Sequence, residues 1–166
     1  MYNVAVLEPA TGKVTALLRD KLLELDCDIS VLLSRGDRLS AFSGSYDLFL
    51  ATSSADAFDP SPGLHCDVLL ASCDASSEVF SQISSGWVAS FGMGTRDSIT
   101  VSSLEPDFAQ LALQRELVTL DGVVLDQQEI PIALPPYTGP SAAMALFGAL
   151  LLLGVPPEVL VTTKNI

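Results

Sequence analysis

The sequence predicts an α/β fold built on a mainly parallel sheet, and three observations carry that reading. Continuous apolar runs at Val4-Ala5-Val6-Leu7, Ile29 to Leu33, Leu48 to Leu50 and Val68 to Ala71 lack polar alternation, as strands covered on both faces do. Between the first two runs, Val14, Leu17, Leu18, Leu22 and Leu25 fall at helical spacing, with Arg19, Asp20, Lys21 and Glu24 on the other face. The strands also end in small polar residues: Pro9-Ala10-Thr11-Gly12-Lys13-Val14-Thr15, Ala51-Thr52-Ser53-Ser54 and Ala71-Ser72-Cys73-Asp74. Ligands bind at such carboxyl ends in open α/β sheets.

The segments between these elements are rich in Ser, Gly, Asp and Pro, with Asp59-Pro60-Ser61-Pro62-Gly63 the clearest loop. Trp87 to Phe91 reads as a further strand ended by Gly92-Met93-Gly94. Beyond it the pattern changes. Ile99 to Leu104 and Phe108 to Leu120 alternate, and Ala109, Leu111, Leu113 and Leu117 oppose Gln110, Gln114 and Glu116. Asp121-Gly122 is the strongest short hairpin signal, with the return strand through Val123 to Leu125. Pro131 cannot donate to a ladder, so Ile130-Pro131-Ile132 is an edge or short strand. Ser141 to Leu153 predicts a buried helix, followed by a short helix or strand around Glu158 to Val161. At 166 residues the chain is long enough to bury a core. One α/β domain over residues 1–166 is expected, with a parallel nucleotide-binding-like half at 1–95 and a half of β-hairpin and helix at 96–166.

A formal net charge of −12 argues against nucleic acid or anionic membrane as a partner, since both require clustered Lys and Arg. Cys27, Cys66 and Cys73 are odd in number, lack CxxC spacing and sit in or beside apolar strands, where a free Cys behaves as a small hydrophobe. That usage, with no basic-then-apolar leader at the N-terminus, predicts a cytoplasmic location. Ala142 to Val155 is too short to span a bilayer and is closed by Pro156-Pro157. His65, Cys66, Cys73 and Asp74 carry ligand-type atoms, but the two cysteines bracket a strand about 20 Å long at ~3.3 Å per residue, too far apart for one tetrahedral metal. No G-x-S-x-G elbow is present, and no catalytic residue is assigned.

Taken in order, these pieces resemble the central domain of the Mur ligase and folylpolyglutamate synthetase superfamily, whose members form an acyl phosphate from ATP and a carboxylate and then an amide. Pro9 to Thr15 lies where that family has its Gly-Thr-x-Gly-Lys-Thr-Thr phosphate loop, and Ala51-Thr52-Ser53-Ser54 where it has Glu-x-Ser-Ser. Leu64 to Asp74 is similar to the strand that ends in Thr-Asn and leads to an Asp-His pair. Val88-Ala89-Ser90-Phe91-Gly92, the hairpin, and Ala142 to Val155 resemble the end of that domain and its Asn-Ala-Leu-Ala-Ala helix. The resemblance implies a three-layer, Rossmann-like and P-loop-like sheet with a C-terminal β-hairpin and buried helix.

The departures from the family bear on function. A phosphate loop wraps phosphates in backbone N–H groups, places Lys on the β/γ oxygens and gives Mg²⁺ a hydroxyl. Gly12, Lys13 and Thr15 remain here, but Pro9 removes an N–H, Val14 replaces the magnesium hydroxyl, and Ala51 stands where the family has its magnesium-binding Glu. No Asp-His pair follows Asp74, and Ala142 replaces the Asn of the late helix. A non-catalytic relative of these ligases is therefore expected, with no metal or cofactor, acting on an unidentified protein partner or as a homo-oligomer. The alternative is a sensor that binds a nucleotide or nucleotide-sugar weakly. Its ligand-binding candidates are Gly12, Lys13, Thr15, Thr52, Ser53, Ser54, Ser72 and Asp74.

Overall fold

A computed structural model describes residues 1–52, 63–75 and 77–161 of the chain, residues 77–79 by their backbone. Strand β1 (Tyr2–Leu7) leads through a loop to helix α1 (Val14–Glu24) and strand β2 (Val31–Gly36). A 3-10 turn (Leu39–Ala41) precedes β3 (Ser45–Ala51), then come β4 (Leu64–Ser72), the short helix α2 (Ser77–Gln82) and β5 (Ile83–Phe91). The second half holds β6 (Ile99–Glu105), β7 (Phe108–Leu113), β8 (Leu117–Val118), β9 (Val124–Leu125), β10 (Gln128–Ala133), α3 (Pro140–Leu152) and α4 (Pro157–Leu160).

Eight of these strands form one sheet in the order β10-β7-β6-β5-β4-β3-β1-β2. From β2 to β6 all neighbours are parallel, and β6, β7 and β10 continue it antiparallel. The fold is thus α/β with a mainly parallel sheet, as the apolar runs predicted. The order reverses direction at β1, because the chain leaves β1 for β2 on one side and returns to β3 on the other. Ser90 and Ser98 hold the brief β5–β6 seam by a reciprocal pair, each hydroxyl accepting the other's N–H at 3.3 Å.

The main core fills the face carrying Val4, Val6, Leu48, Leu50, Val68 and Leu70, against α1 and α3. Helix α3 is buried on every side from Ala143 to Leu152. Pro140 opens it with a preset φ, and its end is a Schellman motif. There Val155 N–H donates to Leu150 C=O at 3.0 Å and Gly154 N–H to Leu151 C=O at 3.1 Å. Gly154 takes φ +103°, which only glycine adopts without strain. This chain's own sheet covers α3, so no second subunit is needed to bury it.

The opposite face holds the second cluster of the core. Both long helices lie together on the first face, and the second cluster packs Phe49 and Leu69 with Leu39, Phe42, Tyr46 and Ala75. Its described cover comes from the 3-10 turn and short loops, and Phe42, Tyr46 and Phe49 meet edge-to-face. Over β5, Val88 on this face is 45% exposed.

Three expectations need correction. Ile29 to Leu33 has the pattern of a strand covered on both faces, but β2 is the sheet's outer strand and Leu32 is 56% exposed. The alternating stretch to Leu120 breaks at Leu113, and the main hairpin is β6–β7, closed at Pro106-Asp107 where Glu105 pairs with Phe108. Asp121-Gly122 does close a hairpin, as expected, between the two-residue strands β8 and β9, with Gly122 at φ +87°. Cys73 is exposed rather than packed as a small hydrophobe, whereas Cys66 is buried. Pro131 does sit on an edge strand, paired with Gln110 of β7.

Candidate functional site

The loop after β1 folds around a carboxylate of this chain itself. Glu8, the first residue beyond the strand, is 2% exposed. Its Oε2 accepts the Val14 N–H at 2.9 Å, and its Oε1 accepts the Thr15 hydroxyl at 2.8 Å and the Thr15 N–H at 3.4 Å. A helix N-terminus presents unpaired N–H groups and partial positive charge, which an anion satisfies. Here that anion is Glu8. Arg35, from the end of β2, completes the arrangement: its Nε donates to Glu8 Oε1 at 2.7 Å, and a terminal nitrogen donates to the carbonyls of Pro9 and Ala10 at 2.7 and 3.1 Å. A charge-assisted pair on a buried carboxylate is the strong kind of hydrogen bond.

Gly12 belongs to this packing. A Cβ there would lie 2.7 Å from Glu8 Oε2 and 2.9 Å from the Pro9 carbonyl oxygen, so glycine lets the loop close on the carboxylate. Thr15 is buried, with its hydroxyl and amide on Glu8. Lys13 stands at the N-cap of α1, exposed and with no side-chain capping bond. Thr52, on the neighbouring strand end, turns inward, and its hydroxyl and amide both donate to the Leu7 carbonyl at 3.0 Å. Ser53 and Ser54 lie outside the described residues.

Ser72 and Asp74 belong to a different place. They line a cavity of 230 Å³ at the ends of β4 and β5, closed by Phe91, Met93 and the start of α3 at Pro140 and Ser141. Gly12, Lys13, Thr15 and Thr52 take no part in it. Ser72 is buried and its hydroxyl oxygen accepts the Asp74 N–H at 3.2 Å, a local turn bond. The adjoining loop is fixed by Asp97, whose carboxylate accepts the Gly94 N–H at 3.0 Å, and by Gln114, whose amide donates to the carbonyls of Gly94 and Asp97. The candidates therefore form two groups rather than one constellation.

Cys73 opens onto this cavity. Partial burial and the carboxylates of Asp97 and Asp74 push its thiol above the ordinary value. Burial, with Asp67 adding to it, pushes the Cys66 thiol up to about 12. Since the thiolate is the nucleophile, both should react sluggishly at neutral pH. In the native protein an alkylating reagent is expected to label Cys73 before Cys66, at a rate still climbing at pH 9, and to reach Cys66 only on unfolding. Mass spectrometry of the labelled peptides checks the order; rapid labelling of Cys73 at pH 7 would count against this electrostatic picture.

Sequence reasoning missed Glu8 and Arg35. The available signal was a lone carboxylate directly after a buried strand and an arginine ending the next one. The parallel register Leu7↔Gly36 brings the two side by side. Among the described residues no three His, Cys, Asp or Glu side chains are grouped to hold a metal ion, and no helix is long and apolar enough to cross a membrane. The sequence matches no protein-family model and no curated protein.

Proposed function

We propose that this chain is a non-catalytic relative of the Mur ligase central domain that acts by binding protein, a partner or itself, rather than by turning over a nucleotide. The observation that carries the reading is the Glu8 carboxylate on the first amides of α1, at 2.9 Å from the Val14 nitrogen. A phosphate at that helix end would meet a buried negative charge already paired with Arg35. Magnesium would fare no better, because Ala51 and Val14 stand where the resemblance calls for its carboxylate and hydroxyl ligands. The residues present do not fit a magnesium nucleotide.

The second reading, a sensor for a nucleotide or nucleotide-sugar, rests on the cavity beside Ser72 and Asp74. Its 230 Å³ falls below the ~300–1,000 Å³ usual for ligand pockets, which favours the first reading. Thermal unfolding with millimolar Mg²⁺-ATP, ADP and UDP-linked sugars separates the two. A ligand at about 100 times its Kd stabilises by ~2.7 kcal/mol, several degrees for a chain of this size. The expected result is no shift, in the wild type or in Lys13→Ala. A shift in the wild type would establish the sensor instead, at the cavity if Asp74→Ala abolishes it and at the loop before α1 if Lys13→Ala does.

A further inference from the structure

We infer that the open edge of β2 is a self-pairing surface: two copies of this chain join antiparallel through β2 into one continuous sheet about a two-fold axis. This rests on the protein-binding function proposed above and names its partner. Tyr2 N–H donates to Ser30 C=O and Glu8 N–H to Gly36 C=O. Even-numbered residues of β2 therefore bond to β1, and the backbone groups of Val31, Leu33 and Arg35 point out of the sheet. Among the described residues no strand meets them.

The two ends of the sheet are treated differently. Natural sheets block their edges with proline, charge or bulges. The β10 edge follows that rule, with Pro131 lacking an N–H and Glu129 exposed beside it. The β2 edge is less guarded: its one charge, Arg35, is tied to Glu8, Val31-Leu32-Leu33-Ser34-Arg35-Gly36 contains no proline, and its register with β1 runs unbroken from Tyr2↔Val31 to Leu7↔Gly36. Beside it, a groove lined by Leu22, Leu23, Ile29, Val31 and Leu33 separates the strand from α1. Leu23 is 76% exposed and Leu32 56%.

Charge identifies the occupant as a second copy. Residues 13–38 hold five of the eight Lys and Arg and five of the twenty Asp and Glu, so this edge is neutral while the rest of the chain carries the whole net −12. Two such chains repel elsewhere, and this edge is where they approach without that penalty. Antiparallel pairing centred on Leu33 sets Leu33 opposite its symmetry mate and Val31 opposite Arg35, so all three outward-facing residues find partners. The two-fold axis stands perpendicular to the sheet. It brings both α1 helices to the same face, where each Leu23 covers the other groove.

Sedimentation over protomer concentrations from about 1 to 200 µM tests this. The mass should rise from 17.5 kDa toward twice that value, and more readily in high salt, which screens the remaining repulsion. Leu32→Lys and Leu23→Glu alter exposed side chains, so each should stay folded by circular dichroism while weakening association at least tenfold, about 1.4 kcal/mol or more. A wild type that stays monomeric throughout, or a dimer that neither substitution weakens, would overturn the inference. Neither result would touch the proposed function itself, which falls only if the nucleotide shift described above appears.

Discussion

Replacing Glu8 with alanine is expected to destabilise the chain by about 2–4 kcal/mol, lowering the melting temperature by roughly 5–15 °C. The substitution leaves the Val14 and Thr15 amides and the Thr15 hydroxyl without their acceptor, in a site where water has little access. It also leaves the Arg35 guanidinium facing backbone carbonyls alone. Arg35 is partly exposed, which tempers the loss relative to a fully buried pair. Inorganic phosphate at millimolar concentration should restore part of the stability of Glu8→Ala and none to the wild type, because only the variant presents a vacant anion position. Melting curves with and without phosphate check both statements. An unchanged melting temperature in Glu8→Ala would remove the loop carboxylate from its structural role.

Phe147→Ala should cost still more, about 3–5 kcal/mol, the usual loss when a fully buried aromatic ring is cut back to a methyl group. Phe147 lies on α3 and is 1% exposed, inside the cluster that joins both halves of the sheet. The ring's space cannot refill easily, because Gly148 beside it already sits where a Cβ would come within 2.8 Å of Ile99 Cδ1. Chemical denaturation provides the measurement, with an unchanged slope and a lower midpoint expected. A small loss would mean that α3 packs loosely, and the apolar helix would then be available to a partner. A large loss assigns it to this chain's own core and leaves the sheet edge as the surface for association.

What could be read in the sequence was what local pattern alone determines. The apolar runs of β1, β3 and β4, the spacing of Val14, Leu18 and Leu22, and the unbroken apolar stretch of α3 each carry their signal within a dozen residues. Pro131 marked its own edge strand because a missing N–H is a property of one residue. The errors arose where a second element decides the outcome. Ile29 to Leu33 has the composition of a covered strand, and only the order of the sheet makes β2 an edge. Asp121-Gly122 closes β8 on β9 as its turn signal indicates, whereas the hairpin at Pro106-Asp107 is set by the longer pairing of β6 with β7 rather than by its own turn residues.

The candidate site shows the same division. Gly12 and Thr15 were legible as parts of a loop at a helix start, but not the side chain that fills the loop. Glu8 and Arg35 are 27 residues apart and meet only through the β1–β2 register. Thr52 looked like a ligand group, but its hydroxyl is already committed to the Leu7 carbonyl. Ser72 and Asp74 were grouped with the loop because all end parallel strands. Strand β3 lies between β4, which they end, and β1, and the start of α3 lines their separate cavity.

The central claim is that Glu8 occupies the anion position at the start of α1 and closes it to phosphate. The most direct test is an NMR titration of the isotope-labelled wild type with Mg²⁺-ATP and with inorganic phosphate, following the amides of Val14 and Thr15. The account predicts that both signals hold their positions through millimolar ligand, because their N–H groups stay on the carboxylate. Saturable movement of these two amides, with Lys13 and Gly12 shifting alongside them, would contradict it and return the loop to nucleotide binding.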